Sequence, residues 1–219
     1  SFPPLDAPAF NAALWACARG GQWRLAEQLF EEMREDGVRP DAVSFAALID
    51  AFARAGGVVK AQRALDAMPG AGLRRTEACY AAYLKACARA RGDSWKGALR
   101  ALARMREEDG LPPSRRCHNA ALHACVCCGR LGEAELLLAE MQRWGLEPDA
   151  ATFTSLMQAH LNVGSWRVAL DLFEAAPGAG APHDARCLEV MIEGLARCAQ
   201  PRVYKGNQRT ATAAAAAAA

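Results

Sequence analysis

Glycine recurs at a nearly constant interval along this chain, and that regularity restricts the possible folds more than any other feature. Successive members of the series are separated by 35, 38, 35 and 35 residues, at Gly37, Gly72, Gly110, Gly145 and Gly180. A period of about 20 to 50 residues is typical of solenoids and other arrays of one structural unit. The chain is therefore expected to contain tandem copies of a unit of about 35 residues.

Two further residue classes keep the same interval. Bulky side chains follow it at Phe10, Phe45, Tyr80, His118, Phe153 and Leu188, and alanines follow it at Ala26, Ala61, Ala98, Ala134 and Ala169. The third unit is longer, with two residues inserted around 91–93 and a third between Met105 and Gly110. Because insertions in repeat arrays fall in turns, we expect an intact but longer third unit.

Each unit has the pattern helix, turn, helix, turn. In the first unit, apolar residues recur at helical spacing over 10–19, a Gly-Gly pair interrupts them, and a second amphipathic stretch covers 23–34. The predicted fold class is an all-α solenoid of helix-turn-helix repeats, in which each pair of helices buries its apolar face on its neighbours. We expect five units, which cover residues 7–41, 42–76, 77–114, 115–149 and 150–184. Residues 1–6 are interpreted as the tail of a preceding unit, and 185–219 as a partial sixth unit with an irregular, alanine-rich tail.

Composition limits the classes of function without choosing among them. Hydrophobic residues make up 52% of the chain and aromatic residues only 7%, since much of the apolar content is alanine, the best helix former. No stretch approaches the roughly twenty apolar residues that a membrane span needs, so no span is predicted. The 26 basic and 24 acidic residues give a net charge of +2, which neither establishes nor excludes a nucleic-acid partner.

Two segments are detailed enough to suggest a family. The sequence is FNAALWACARGGQWRLAEQLFEEMREDGVRPD over 10–41 and HNAALHACVCCGRLGEAELLLAEMQRWGLEPD over 118–149. Both have a ring side chain and Asn at the start of a helix, a Gly-containing turn, an EA or AE pair, then Met, Gly and Pro-Asp. Over residues 7–184 this pattern resembles pentatricopeptide repeats, whereas the Trp and Leu-Gly pair of tetratricopeptide repeats is absent. The resemblance implies a right-handed superhelix that binds single-stranded RNA along its concave face, about one base per repeat.

The resemblance also implies which side chains contact the bases, namely the fifth and the last residue of each unit. The resulting pairs are Asn11 with Asp41, Ala46 with Thr76, Ala81 with Ser114, Asn119 with Asp149, and Thr154 with Asp184. In this family Asn with Asp prefers uracil and Thr with Asp prefers guanine, whereas alanine has no polar side-chain atom. We therefore expect the first, fourth and fifth pairs to distinguish bases, in the register uracil, any, any, uracil, guanine. The residues expected to face RNA without distinguishing bases are Val43, Ala46, Thr76, Ala81 and Ser114.

Amide chemistry supports the two Asn pairs independently of the family. An Asn side chain carries both donors and acceptors, so it can meet the N–H and the carbonyl of a uracil edge. A nearby carboxylate accepts from the amide nitrogen and determines which way the amide points.

Arginines recur near the end of the first helix of several units. They are Arg19, Arg54, Arg89 and Arg197, whereas Cys127 and Asn162 hold the equivalent place in the other two units. A line of arginines along one edge of the groove would contact phosphates, and Arg116 is a further candidate. The alternative is that an arginine before a turn complements the helix dipole.

Nine cysteines, with His118 and His123 close to several of them, raise the question of a zinc site. Zinc ligands usually come in pairs, a few residues apart, at two separate places. Here the cysteines keep the repeat interval instead, which indicates small buried side chains in a reducing compartment, as at Cys17, Cys87 and Cys125 or at Cys79, Cys117 and Cys187. We predict no metal and no cofactor. Phosphate-binding loops and hydrolase or deaminase signatures are also missing, so we expect a binding protein and not an enzyme.

The expected function is RNA binding within an organellar ribonucleoprotein, with single-stranded RNA and neighbouring proteins as partners. The favoured hypothesis is an rRNA-binding subunit of an organellar (mitochondrial) ribosome, because two units are non-coding and the net charge is near zero. The alternative is a free factor for the stability, processing or translation of an organellar mRNA, and a third hypothesis is a protein scaffold that binds no RNA. Mitochondrion and chloroplast are both compatible with the sequence, and any targeting segment is expected outside it. The alanines at 213–219 fit either a natural tail or residues whose side chains were not identified.

Overall fold

The structure is a computed structural model that describes residues 6–90 and 92–199, and these residues form eleven α-helices. In chain order the helices are α1 (Ala7–Arg19), α2 (Trp23–Glu35), α3 (Ala42–Arg54), α4 (Val58–Ala67), α5 (Glu77–Arg89), α6 (Ser94–Glu107), α7 (Arg115–Cys127), α8 (Leu131–Arg143), α9 (Ala150–Asn162), α10 (Trp166–Ala175) and α11 (Ala185–Ala199). Short 3-10 turns follow α4 and α10, and the described residues contain no strand. None of these helices is long and apolar enough to cross a membrane. The expected all-α repeat fold is confirmed, while the alanine-rich end and residues 1–5 lie outside the described part.

A polar residue caps the N-terminus of every odd-numbered helix. Each capping side chain accepts a hydrogen bond from the backbone N–H three residues later, which satisfies a donor that the helix itself leaves unpaired. The capping residues are Asp6, Asp41, Thr76, Ser114, Asp149 and Asp184. All but Asp6 are also the residues that were expected to contact bases from the end of a unit. At Asp41, Ser114 and Asp149 the capping side chain also bonds to the preceding odd-numbered helix.

Glycine in the left-handed conformation forms both turns of every unit. The glycines that follow even-numbered helices have φ between 64° and 75°, a region that L side chains rarely adopt, at Gly37, Gly72, Gly110, Gly145 and Gly180. The structure adds a second series between the two helices of each unit, with φ between 69° and 85°, at Gly21, Gly56, Gly92, Gly129 and Gly164. A left-handed glycine therefore recurs in both connections of all five units.

The helices are arranged in two layers. The odd-numbered helices form one continuous layer, in which each packs on the next, from α1 to α11. Each even-numbered helix packs against the odd-numbered helices before and after it, and the apolar core lies between the layers. Phe30 of α2 and Phe45 of α3 meet edge to face across this core, with ring centroids 5.0 Å apart. The six cysteines that keep the repeat interval are all buried, as their phase predicted.

Tryptophans lie near the starts of α2, α6 and α10, and two of them pack within the array. Trp23 and Trp95 lie against the core, and a basic side chain from within or just before the next even-numbered helix lies over each ring. Lys60 Nζ is 4.3 Å from the Trp23 ring, and the Arg130 guanidinium is 4.8 Å from Trp95. Trp166 is 41% exposed.

The longer third unit holds its extra turn in place with a polar contact. The Tyr80 hydroxyl donates to the Asp109 carboxylate at 2.5 Å, and Arg75 pairs with the same carboxylate at 3.1 Å. Burial, together with the hydrogen bond to Asp109, raises the pKa of Tyr80 well above its ordinary value, so the phenol keeps the proton that it donates. Asp109 is therefore a structural contact of the third unit, although two glutamates precede it in the sequence.

Candidate functional site

Asn11 and Asp41 meet between α1 and α3, although 30 residues separate them. The Asn11 amide Nδ2 donates to Asp41 Oδ1 and Oδ2 at 3.2 and 3.3 Å. The buried Ser44 hydroxyl lies 2.6 Å from Asn11 Oδ1 and 3.0 Å from Asp41 Oδ1, and it accepts from the Asp41 backbone N–H at 3.1 Å. Asp41 also caps α3, so the helix start and the Asn contact share one carboxylate.

The same arrangement recurs between α7 and α9. Asn119 Nδ2 donates to Asp149 Oδ1 at 2.9 Å, and the Thr152 hydroxyl lies 2.6 Å from Asn119 Oδ1 and 3.0 Å from Asp149 Oδ1. Arg115 adds an ion pair to Asp149 Oδ2 at 3.3 Å. The two Asn–Asp–hydroxyl networks have nearly equal distances and lie 108 residues apart in sequence, so the same polar network occurs twice in the array.

Hydrogen bonds keep both carboxylates ionised. Partial burial alone would raise the pKa of Asp41, but the bonds from Ser44, Asn11 and Val43 outweigh it and hold that pKa below the ordinary value. At Asp149 burial is again outweighed, here by bonds from Thr152 and Asn119 and by the charge of Arg115, and the pKa is lowered. Each Asn is thus held by a charged acceptor on its nitrogen and by a hydroxyl on its oxygen.

The pair in the fifth unit has a different geometry. Asp184 accepts from the Cys187 backbone N–H at 2.7 Å and caps α11, and no direct hydrogen bond joins it to Thr154 within the described residues. Both side chains line a cleft of about 220 Å³ between α9 and α11, together with Gln158 and Arg186 and with His123 from α7. The structure brings this predicted pair to one place and surrounds it with polar groups that the sequence argument did not single out.

Ala46 and Ala81 were expected to face RNA without distinguishing bases, and both are buried in the structure. They are only 4% and 1% exposed, because α3 and α5 pack closely on their neighbours in the odd-numbered layer. The last residues of those units have other partners: Thr76 caps α5, and Ser114 caps α7 and donates its hydroxyl to Glu77 Oε1 of α5 at 2.6 Å. Val43 is 47% exposed, as expected for a residue on an open surface.

A buried carboxylate lies one helical turn beyond Ala46, and the sequence argument missed it. The Asp50 side chain is 7% exposed, and it pairs with Arg54 at 2.8 Å and with Lys85 of the next odd-numbered helix at 3.8 Å. Arg54, one of the phosphate candidates, thus pairs with a buried acid, while its own side chain remains 40% exposed. The remaining phosphate candidates, Arg19, Arg89, Arg116 and Arg197, are exposed and have no carboxylate partner among the described residues.

Ser44 and Thr152 were also missed, although the sequence contained a signal for them. They occupy the third position of α3 and α9, a place where other odd-numbered helices have Cys79, Cys117 and Cys187. The hydroxyl residues therefore follow units that carry Asn, and the cysteines follow units that carry Ala or Thr at the fifth position. A hydroxyl residue at a position where other units have a buried cysteine was the sequence signal for this contact.

Nothing among the described residues resembles a metal site, since no three side chains of His, Cys, Asp or Glu lie close enough together to hold an ion. The most regular polar feature is instead the pair of Asn–Asp contacts on the odd-numbered layer. Fold and site together define an α-solenoid of two-helix repeats with polar contacts between successive first helices.

Family comparisons identify that solenoid, and the chain belongs to the pentatricopeptide repeat family. A model of the PPR repeat family matches residues 5–54 and 113–162, and a second model, for the PPR repeat, matches 43–73 and 151–180. No curated protein sequence matches the chain.

Solved structures agree with the family and its fold. The pentatricopeptide repeat protein PPR10 from maize is 27% identical, with a TM-score of 0.70 over 90% of this chain and 28% of the maize chain. PPR10 in complex with an 18-nt psaJ RNA element superposes with a TM-score of 0.71 at 23% identity, over 89% of this chain and 28% of that one. The PPR domain of Arabidopsis thaliana protein-only RNase P 1, in complex with tRNA, has a TM-score of 0.66 at 15% identity, over 87% and 98%. The chain thus spans little more than a quarter of PPR10.

Proposed function

We propose that this chain binds single-stranded RNA along the layer of odd-numbered helices. The observation that carries the proposal is the repeated Asn–Asp–hydroxyl network at Asn11 and Asn119. Each amide uses one N–H and one lone pair within the protein, which leaves a second N–H and a second lone pair for a base. Single-stranded bases are recognised in this way, through the edges that pairing would otherwise occupy. Complexes of maize PPR10 and of Arabidopsis protein-only RNase P 1 with RNA support the class of ligand.

The proposed register is uracil, any, any, uracil, guanine, with the last base at Thr154 and Asp184. The two middle units contribute no polar group at the fifth position, because Ala46 and Ala81 are buried alanines. Selectivity is therefore expected from the first, fourth and fifth units alone. The proposed phosphate contacts are the exposed arginines Arg19, Arg89, Arg116 and Arg197. Three of them lie at or near the ends of odd-numbered helices, and Arg116 precedes Asn119 by three residues in α7.

The setting we favour is an organellar ribonucleoprotein, in which the chain serves as an rRNA-binding subunit of a ribosome. Three specified bases recur by chance about once in sixty-four nucleotides, so these units alone do not select one transcript. A subunit that is docked among other proteins does not need such selectivity, because its position is set by its neighbours. The alternative setting is a free factor for the stability, processing or translation of an organellar mRNA.

Binding to short ribo-oligonucleotides tests the RNA proposal directly. The chain should bind UAAUG more tightly than AAAAA, and in Asn11→Ala/Asn119→Ala the difference should shrink to the part that the guanine at Thr154 and Asp184 contributes. Equal affinity for both oligonucleotides, or no binding to either, contradicts the proposal. Crosslinking and sequencing of RNA from cells then separates the settings: predominantly rRNA supports a ribosomal subunit, and one mRNA region supports a transcript factor.

A further inference from the structure

Two fully buried hydroxyl groups complete the networks, and base reading by Asn and Asp does not by itself require them. Ser44 and Thr152 are both 0% exposed. Each hydroxyl lies 2.6 Å from the Oδ1 atom of the Asn in the preceding unit, 33 residues earlier. The fold does not demand a hydroxyl at this position, because Cys79, Cys117 and Cys187 occupy it in other units and are buried there as well. Among the described units, the hydroxyl thus accompanies the Asn.

The contacts around each amide give its two ends different partners. Nδ2 of Asn119 faces the Asp149 carboxylate at 2.9 Å, and Oδ1 faces the Thr152 hydroxyl. The hydroxyl accepts the Asp149 backbone N–H at 3.1 Å, which directs its own proton towards the side-chain oxygens. A flipped amide would put its carbonyl against a carboxylate and leave the hydroxyl proton without the amide oxygen. The network therefore favours one of the two amide orientations.

Amide orientation matters because uracil and cytosine differ in the order of their donors and acceptors. Uracil has a carbonyl at ring position 4 and an N–H at position 3, whereas cytosine has an amino group and an unprotonated nitrogen there. For a base whose ring is held in one place, an amide with N–H towards position 4 and oxygen towards position 3 matches uracil. The flipped amide matches cytosine. A group that holds the amide in one orientation therefore discriminates between the two pyrimidines.

We propose that Ser44 and Thr152 are positioning residues that hold the Asn11 and Asn119 amides in the orientation that selects uracil over cytosine. They touch the reading side chain and not the base, so they act through the Asn. The inference rests on the proposed function, since it needs RNA on this layer. It goes further by assigning pyrimidine selectivity to a third residue, which lies in the next unit.

The test measures affinity for two pairs of ribo-oligonucleotides with the whole chain. One pair, UAAUG and UAACG, differs at the base opposite Asn119, and the other, UAAUG and CAAUG, differs at the base opposite Asn11. Thr152→Val should lower the uracil-to-cytosine ratio opposite Asn119 by about fivefold, the factor that one neutral hydrogen bond contributes. The ratio opposite Asn11 should not change, and Thr152→Ser should keep both ratios near those of the parent.

Thr152→Cys is the second variant, because the chain itself carries cysteine at this position in three units. It keeps a side chain that the fold accepts and weakens the donor, so it should lower the same ratio even if Thr152→Val does not fold. Ser44→Cys should produce the mirror result, with the change opposite Asn11. A base-specific and unit-specific shift of this kind does not arise from a general loss of stability.

Three other outcomes would contradict the inference, and they differ in what they imply for the proposed function. If folded Thr152→Val and Thr152→Cys retain the parent ratio while the parent binds UAAUG selectively, the inference is overturned and the proposed function stands. If the parent shows no preference for UAAUG over AAAAA, the proposed function fails and the inference fails with it. A ratio that falls equally opposite Asn11 and Asn119 also overturns the inference, since a local positioning role predicts only one change.

Discussion

Leu161 of α9 packs so closely on Gly194 of α11 that a Cβ atom at Gly194 would overlap the leucine side chain. Both residues are buried, in the layer where odd-numbered helices stack. At the positions equivalent to Leu161, three other odd-numbered helices in the array carry Ala18, Ala53 and Ala88, and the positions equivalent to Gly194 carry Ala51, Ala86 and Ala124. One large residue is thus matched by one absent side chain on the neighbouring helix.

Gly194→Ala should therefore destabilise the fold. Overpacking costs about 1–3 kcal/mol, which outweighs the gain of about 1 kcal/mol that alanine brings to a helix interior. In a Leu161→Ala background the same substitution should become stabilising, because the array already uses an alanine at both places elsewhere. Urea unfolding followed by circular dichroism measures both changes. A change of equal sign in the two backgrounds would contradict the close contact.

Asn119→Ala should weaken binding to UAAUG by about 1–3 kcal/mol, the usual cost of losing a polar contact to one base. It should leave the affinity for UAAAG nearly unchanged, because the adenine opposite Asn119 in that RNA does not present the uracil edge that the amide matches. Asn162→Ala is a matched control, because this Asn ends the next odd-numbered helix and lies outside the Asn–Asp network. Fluorescence anisotropy with labelled oligonucleotides gives the comparison. Equal losses for the two RNAs would show that Asn119 does not distinguish bases.

The lowered pKa values of Asp41 and Asp149 predict a pH dependence of stability. A carboxyl whose folded pKa lies below its value of 3.8 in the unfolded chain stabilises the fold above that value, and the contribution is lost as pH falls through the folded pKa. Asn11→Ala/Asn119→Ala removes bonds that lower both pKa values. The double variant should be less stable than the parent near neutral pH, and the gap should narrow below about pH 4. Urea midpoints at several pH values measure the gap, and a constant gap would rule out this linkage.

Arg54 and Arg89 occupy equivalent places but should respond differently to the same change. Arg54→Gln should cost about 1–3 kcal/mol of stability, because it leaves the buried Asp50 carboxylate with only a distant lysine. Arg89→Gln should alter stability by less than about 0.5 kcal/mol. If Arg89 contacts a phosphate, its loss should instead reduce the slope of the logarithm of the binding constant against the logarithm of the salt concentration by about 0.7. An unchanged salt slope for Arg89→Gln would favour the helix-dipole explanation.

The sequence alone determined the features that depend on residues close together in the chain. Its period predicted an all-helical repeat fold, and the buried cysteines followed from their phase in that period. Glycines at the turns and Asp, Thr or Ser before the odd-numbered helices act within a few residues, so single positions such as Gly37 and Asp41 are informative without a structure. The family pattern further placed Asn11 and Asn119 opposite their aspartates, and the contacts at 3.2 and 2.9 Å show both pairs together.

Only the tertiary structure decided contacts that cross from one unit to the next. Ser44 meets Asn11, Lys85 meets Asp50, and Leu161 meets Gly194 at separations of 33 to 35 residues. Those meetings depend on how far and at what angle neighbouring helices approach, which the summed volumes of many core side chains determine. The same stacking buries Ala46, which the resemblance placed towards RNA, and pairs Arg54, a phosphate candidate, with Asp50. Local periodicity specifies which residues share a helix face, and packing decides which of them remain available to RNA.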